Sequence, residues 1–372
     1  MKNKSPKIVI SGYYGFDNCG DEAVLAAMLH CLKSLYPDLR VVVCSNNPDK
    51  TREASGAEAI NRWNLIRVAL EILTCRLLIS GGGSLLQDVT SSKSLSYYLG
   101  VIRIALALRK KVMIYSQGIG PLSNKKNRMR TQRVLDRCSA ITVRDIRSAD
   151  FLMELGLRKD IHVACDPVMA FSRDDIDTDE INGLLVESGV IGSKSDEHKS
   201  LLMVAVRSWK ADSHIAPIAE LLDIQIMSGW DVLLVPAHYP DDMKAIDKLR
   251  DLMSMQPYMI GRELTAYRFL ALAARADKVL SMRLHGLICA AAMETPILGI
   301  SYDPKIDAFM EQAGLERYCL PYDNIDLNMA KALLEELDAL PSDYTRVQKA
   351  RRTEMQESAW EPARKAVELL QK

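Results

Sequence analysis

The sequence predicts an α/β protein built as two halves, each a parallel sheet covered by helices on both faces. Continuous apolar, β-branched runs alternate with amphipathic helical patterns, the rhythm of buried parallel strands joined by helical crossovers. That rhythm weakens once, between Phe171 and Ser200, and then restarts. The length of 372 residues suits two domains at roughly 100–200 residues each.

In chain order, Lys7–Ser11 reads as the first strand. Gly20–Leu35 follows as a helix, with Val24, Leu25, Met28, Leu29, Leu32 and Leu35 at helical spacing and Asp21 as its N-cap. Further strands are predicted at Arg40–Cys44, Leu77–Ser80, Val112–Ser116, Ala140–Val143 and His162–Cys165, with a long amphipathic helix at Leu95–Leu108. The polar stretch beginning Arg173-Asp174-Asp175 and carrying Gly189, Gly192, Ser193 and Ser195 reads as a linker plus a loop. Strands resume at Leu201–Val206, Asp231–Val235, Tyr258–Ile260, Lys278–Met282 and Pro296–Ser301, with a small-residue helix at Leu287–Met293. Glu354–Leu370 is a last amphipathic helix. The expected division is 1–172, a linker at 173–200, 201–350, and a terminal helix at 351–372 that packs back on the first domain.

Lys plus Arg and Asp plus Glu are both 48, a net charge of zero, which argues against a dedicated nucleic-acid binder. No apolar run approaches the about 20 residues of a membrane span. The chain runs from Met1 straight into a strand, so no signal peptide is expected and the cytoplasm is the expected location. The eight cysteines form no CxxC pair and several sit in apolar runs, which suits buried free thiols in a reducing compartment. Clustered metal-ligand spacings are absent, so no metal and no cofactor are expected.

In open parallel sheets ligands bind beyond the carboxyl ends of the strands. Three glycine-bearing segments stand there in the first half: Gly12 to Glu22, Gly81-Gly82-Gly83-Ser84, and Gln117-Gly118-Ile119-Gly120-Pro121. Each alone is as well explained by a tight turn; three at matching strand ends favour a cleft. None has the G-x-G-x-x-G spacing of a dinucleotide site. The second half carries Val206-Arg207-Ser208-Trp209, Met282-Arg283-Leu284-His285-Gly286 and Tyr302-Asp303-Pro304-Lys305 after its strands. Asp303 before Pro304 marks a helix start, placing Lys305 in the first turn. Arg207, Arg283, His285 and Lys305 therefore emerge at strand ends, an arrangement suited to a small anion with phosphate and carboxylate groups. Taken singly, Arg207 could pair with Asp231, Lys305 with Asp307, and His285 could be structural. Arg144 is a fifth cation, at a first-half strand end; its alternative is a salt bridge with Asp145 or Asp166.

Read together, GYYGFDNCGDEA, GGGSLLQD, SQGIGP, TVRD, CDPV, RSW, SMRLHG and SYDPK resemble the polysaccharide pyruvyl transferases, most closely their bacterial cell-wall members. The resemblance runs from Ile8 to about Tyr322, with RLHG and SYDPK its most specific parts. It implies two Rossmann-like domains facing across a cleft, similar to the GT-B glycosyltransferases. It implies phosphoenolpyruvate as donor and a lipid-diphosphate-linked secondary cell wall polymer precursor as acceptor, whose N-acetylmannosamine receives a pyruvate ketal across O4 and O6. Such polymer holds S-layer proteins at the cell surface.

With that chemistry in view, His285 is expected to transfer protons, and Arg283 and Lys305 to neutralise the leaving phosphate. Arg144, Arg207 and Gly286 complete the expected donor site. Asp17, Asn18, Gly20, Asp21, Gly82, Gly83, Gln117 and Asp166 are expected on the acceptor side. Two rivals stand beside this reading: a GT-B glycosyltransferase using a nucleotide sugar, and a non-enzymatic sugar- or lipid-binding protein. The basic run Asn124–Arg133 reads first as a solvated helix start. Beside a lipid-linked acceptor it is also a candidate for transient contact with an anionic membrane, through Lys125, Lys126, Arg128 and Arg130.

Overall fold

The computed structural model describes residues 5–89, 92–177, 179–190, 200–339 and 342–371. It divides into two compact units. The first comprises Met1–Phe16, Asp21–Ala170 and Met355–Lys372; the second comprises Asp17–Gly20 and Phe171–Glu354.

In the first unit β1 (Lys7–Tyr14), β2 (Arg40–Ser45), β3 (Glu58–Asn61), β4 (Leu77–Ser80), β5 (Gly83–Leu86), β6 (Lys111–Ile119), β7 (Ala140–Val143) and β8 (His162–Val163) form one sheet. Its order is β3-β2-β1-β4-β6-β7-β8, with β5 paired to β6, and its pairings are parallel. The helices are α1 (Cys19–Leu35), whose first two residues count with the second unit, α2 (Pro48–Ser55), α3 (Leu65–Thr74), α4 (Ser92–Ala107), α5 (Lys125–Leu135) and α6 (Ile146–Glu154). Alternate sheet residues Val9, Val42, Leu78, Val112 and Ile114 share one core with Val68 and Ile72 of α3, Leu99 of α4, Leu135 of α5 and Leu152 of α6. These four helices therefore cover one face of the sheet. β4 is buried at every position, which is why it reads as an unbroken apolar run.

The second unit holds α7 (Asp179–Glu187), β9 (Leu201–Ala205), α8 (Ile215–Met227), β10 (Asp231–Leu234), α9 (Met243–Leu252), β11 (Tyr258–Met259), α10 (Ala266–Arg275), β12 (Lys278–Ser281), α11 (Leu284–Ala292), β13 (Ile297–Ser301), α12 (Pro304–Ala313), β14 (Cys319–Pro321), α13 (Leu327–Asp338) and the first part of α14 (Ser342–Gln371). Its sheet has the order β11-β10-β9-β12-β13-β14 and is parallel throughout. The last residues of α14 count with the first unit. There Lys111 Nζ donates to the Leu369 carbonyl at 2.7 Å and Arg76 to that of Leu370 at 3.3 Å, cations at a helix C-terminus.

Several elements differ from the sequence expectation. Asp21 is not the N-cap of α1: the helix begins at Cys19, and the Asn18 side chain accepts from Gly20 N at 3.0 Å, leaving Asp21 in the first turn. The expected linker at 173–200 contains a 3₁₀ turn at Arg173–Asp175 and α7, which carries buried Ile181 and Leu185. Its 191–199 part, with Gly192, Ser193 and Ser195, lies outside the described residues, as does Met1–Lys4. The strands β3, β5 and β14 were not foreseen: each has three or four residues, too few to show a period. α14 begins at Ser342 rather than Glu354, because its polar first turns are helical as well.

Among the described residues no helix is long and apolar enough to cross a membrane. The eight cysteines are free, and only Cys319 is even partly exposed. Burial pushes the Cys44 thiol up to about 12, so it is inert at neutral pH.

Candidate active site

The strand order of the second unit reverses between β9 and β12, the point at which an open parallel sheet leaves a crevice. These strands pair in register, Ala205 opposite Ser281. Arg207 and Arg283 each follow two residues later, on strands spaced about 4.8 Å apart. Lys305 arrives from β13, the next strand over.

The chain turns sharply above β12. Ser281 Oγ accepts from Arg283 N at 3.0 Å and lies 2.9 Å from the Arg283 carbonyl, so helix α11 starts at Leu284, three residues before the expected Leu287. His285 and Gly286 thus lie in the first helical turn, where N–H groups face outward and favour anions. A Cβ at Gly286 would overlap Ser281 Oγ, so only glycine lets the helix begin this close to the strand. Asp303 caps α12 by accepting from Lys305 N at 3.0 Å, with Pro304 at the first helical position, so Lys305 also stands in a first turn.

Arg207 does not pair with Asp231. Its Nη1 donates to the Tyr302 hydroxyl at 2.9 Å, and its guanidinium lies over the rings of Trp209 and Tyr302 at 5.2 and 5.1 Å. Aromatic faces hold the cation in place while leaving it charged. The Arg207 carbonyl meets His214 Nε2 at 2.9 Å. His214 is buried, and burial lowers its pKa, so it is neutral and donates through Nε2. Protonation therefore favours the unfolded chain. The contribution of His214 to stability is expected to be complete above its unfolded value of about 6.5 and to be lost as pH falls below it. Melting temperature against pH should drop less steeply on the acid side for His214→Phe than for the parent; identical profiles would assign the acid loss to other groups.

Arg283 is committed to a partner the sequence reading did not include. Its Nε donates to Asp242 Oδ2 at 3.1 Å and its Nη2 to Asp242 Oδ1. Asp242 is 1% exposed and also accepts from Ala237 N at 3.1 Å and His238 N at 2.9 Å. One carboxylate therefore ties the segment after β10 to the arginine after β12. The signal was weak: an aspartate just before a helix, in Tyr239-Pro240-Asp241-Asp242.

Asp17, Asn18 and Gly20 are corrected most: expected with the first-half loops, they belong to the second unit. Asn18 forms an antiparallel bridge with His238, Cys19 N donates to the Ala237 carbonyl at 3.0 Å, and Cys19 Sγ lies 3.0 Å from the Leu264 carbonyl. A Cβ at Gly20 would overlap the His285 ring at Nδ1 and Cγ. Gly20→Ala is expected to displace the imidazole and lower kcat at least about tenfold, since misplacement by about 1 Å can cost far more. The check is kcat beside an unchanged melting curve; full activity would mean that the ring position is immaterial.

The remaining candidates lie in the first unit. Arg144 is 6% exposed and bound within the protein, to Asp166 at 3.3 Å, Asp145 at 3.6 Å and Ser84 Oγ at 3.2 Å. Both alternative partners from the sequence are realised, and Asp166 is a buried counter-ion that also accepts from Val168 N at 3.2 Å. Gln117 is buried, and its amide donates to Ser80 Oγ at 2.8 Å and the Gly81 carbonyl at 2.7 Å, so it holds the ends of β4 and β6 together. Gly82 and Gly83 lead into β5, where Gly83 pairs with Gln117. Asp21 Oδ1 faces Gly83.

A cavity of about 340 Å³ opens at the ends of β13 and β14, bounded by Tyr302, Asp303, Asp307, Tyr322 and Asp323. Its three aspartates suit an anion poorly. Among the described residues no group of three or more His, Cys, Asp or Glu side chains is placed to hold a metal ion.

Two parallel Rossmann-like units of this kind define the GT-B class, and comparison with solved structures agrees. UDP-GlcNAc 2-epimerase from Methanocaldococcus jannaschii superposes with TM-score 0.68 at 12% identity, covering 97% of this chain and 99% of that one. The Neisseria meningitidis enzyme bound to UDP-GlcNAc gives 0.63 at 12%, covering 98% and 99%. The wall teichoic acid polymerase TagF gives 0.59 at 14%, covering 98% and 88%. At such identities the likeness shows the fold alone. No curated protein matches in sequence. The family model for polysaccharide pyruvyl transferase matches residues 18–304, and the chain belongs to that family of transferases.

Proposed function

We propose that the protein transfers the enolpyruvyl group of phosphoenolpyruvate to a sugar of a lipid-diphosphate-linked cell-wall polymer precursor and closes it to a 4,6-linked ketal. The observation that carries this reading is the convergence of Arg207, Arg283, His285 and Lys305 on the carboxyl ends of β9, β12 and β13. Phosphoenolpyruvate brings one phosphate and one carboxylate, which two arginines, a lysine and the N-terminus of α11 suit.

The chemistry assigns each group a part. His285 gives a proton to C3, turning the methylene into a methyl group and leaving C2 electron-poor. A sugar hydroxyl adds to C2 and returns its proton to His285. The second hydroxyl then displaces phosphate, its proton leaving with the phosphate, and closes the ketal. Arg283 and Lys305 stabilise charge on the departing phosphate, and Arg207 holds the donor carboxylate. Asn18 and Gly20 belong to the same unit as His285, and Gly20 lies against its ring, so they are assigned to this centre. Finer placement among the secondary cell wall polymer ketal-pyruvyltransferases, with N-acetylmannosamine as acceptor sugar, follows the motif resemblance.

The test is incubation with phosphoenolpyruvate and a synthetic lipid-diphosphate disaccharide in excess EDTA. The expected result is a pyruvyl mass increment with stoichiometric phosphate. The UDP-sugar enzymes of the same fold supply the competing outcome: a thermal shift with UDP-sugars and none with phosphoenolpyruvate would replace the reading with a nucleotide-sugar glycosyltransferase.

A further inference from the structure

Helix α3 is apolar nearly all round. Val68 and Ile72 enter the core, while Ile66, Leu70 and Leu73, at i, i+4 and i+7, form a second stripe that faces solvent. Ile66 is 78% exposed, and Trp63, just before the helix cap Asn64, is 59% exposed. The Trp63 indole N–H is already used, donating to Asn46 Oδ1 at 2.9 Å, so what it presents outward is an apolar ring. The polar residues of the helix are occupied among themselves and with β1: Arg67 with Glu71 at 2.7 Å, and Lys7 with Glu71 at 2.7 Å and with Thr74. A helix apolar on both faces is a buried helix or one that meets a second apolar phase.

The neighbouring helices state which phase. α3 packs on α4 and α4 on α5, all three on the same face of the sheet. α4 and α5 carry Lys93, Arg103, Lys125, Lys126, Arg128, Arg130 and Arg133 and no carboxylate, in a chain whose net charge is zero. On α5 the exposed Met129 stands among exposed Lys125, Lys126, Arg130 and Arg133. At about 8–10 Å per helix contact, the apolar stripe and the basic helix lie within about 20 Å. We infer that the outer surface of the α3–α5 layer docks on an anionic lipid bilayer, with Trp63, Ile66, Leu70 and Leu73 entering the headgroup region and the α5 cations meeting lipid phosphates. A second copy that used the whole layer is the poorer occupant, because a twofold contact that sets α5 against α5 brings the cations of both copies together.

The inference gives the proposed lipid-linked acceptor a physical setting, but its test needs neither donor nor acceptor. Binding is measured by co-sedimentation with phosphatidylcholine vesicles, with and without phosphatidylglycerol. The parent is expected to bind the anionic vesicles, weakly at high salt, and the neutral ones poorly. Ile66→Gln with Leu70→Gln, at exposed positions that leave the core intact, is expected to lower the partition at least about tenfold at every salt concentration. Changing Lys125, Lys126, Arg130 and Arg133 to Gln is expected to remove the salt-dependent part alone. Quenching of tryptophan fluorescence by spin-labelled lipid should fall in Trp63→Phe. A parent that ignores anionic vesicles, or forms a dimer that the Ile66/Leu70 variant abolishes, overturns the inference. Vesicle binding without pyruvyl transfer overturns only the proposed reaction, and transfer to a soluble acceptor without vesicle binding overturns only the surface.

Discussion

Replacing His285 by alanine is expected to lower kcat by about 10²–10⁴-fold, the range of a positioned general acid–base group. The KM for phosphoenolpyruvate should stay near its parent value. On the proposed reading the imidazole acts on a proton that moves only in the transition state, whereas Arg207, Arg283 and Lys305 meet charge that the donor carries from the start. A pH profile gives a second readout: the limb of kcat/KM assigned to His285 should vanish in the variant. The ring is set against the Gly20 backbone and in the first turn of α11, so truncation leaves the second unit's core intact. A folded His285→Ala enzyme with near-normal kcat would return the imidazole to a structural role.

Removing Arg283 is expected to act on stability as well as on the donor. Arg283→Ala leaves the Asp242 carboxylate, 1% exposed, without its bidentate cation. Breaking a buried pair from one side typically costs about 3–5 kcal/mol. Asp242 retains the amides of Ala237 and His238, so the lower end of that range is expected here. Arg283→Lys keeps the charge but not the fork, and should recover part of the stability while donor KM stays raised. Asp242→Asn should destabilise too, because the amide presents a single acceptor oxygen to a guanidinium and two backbone N–H groups. Urea unfolding measures the first effect and donor KM the second. A loss under about 1 kcal/mol in Arg283→Ala would mean that the pair is solvated.

The sequence determined the class of the fold because that class rests on local periodicity. Strands such as β4 and β9, buried on both faces, must be continuous apolar runs, and the helices between them must be amphipathic. It also placed Arg207, Arg283, His285 and Lys305 just after strands, because residues that follow parallel strands emerge at the same edge of the sheet. Asp303 and Pro304 fixed the start of α12 for the same local reason.

What the tertiary structure alone decided is which partner each side chain finds. Asp242 reaches Arg283 across a separation of 41 residues, and no spacing rule spans such a distance. Arg144 could be read as a donor ligand or as the partner of Asp145 and Asp166; the fold brings it to both of these carboxylates. The segment Asp17–Gly20 follows the first strand and so looked like a first-half loop, yet its backbone pairs with Ala237 and His238. The outward stripe of α3 is the same case in reverse. Val68 and Ile72 are buried in the core while Ile66, Leu70 and Leu73 stay exposed, and only packing separates the two faces. Periodicity states that a side chain is apolar or charged; what lies opposite it is a property of segments far apart in the chain, and that is set only when they pack.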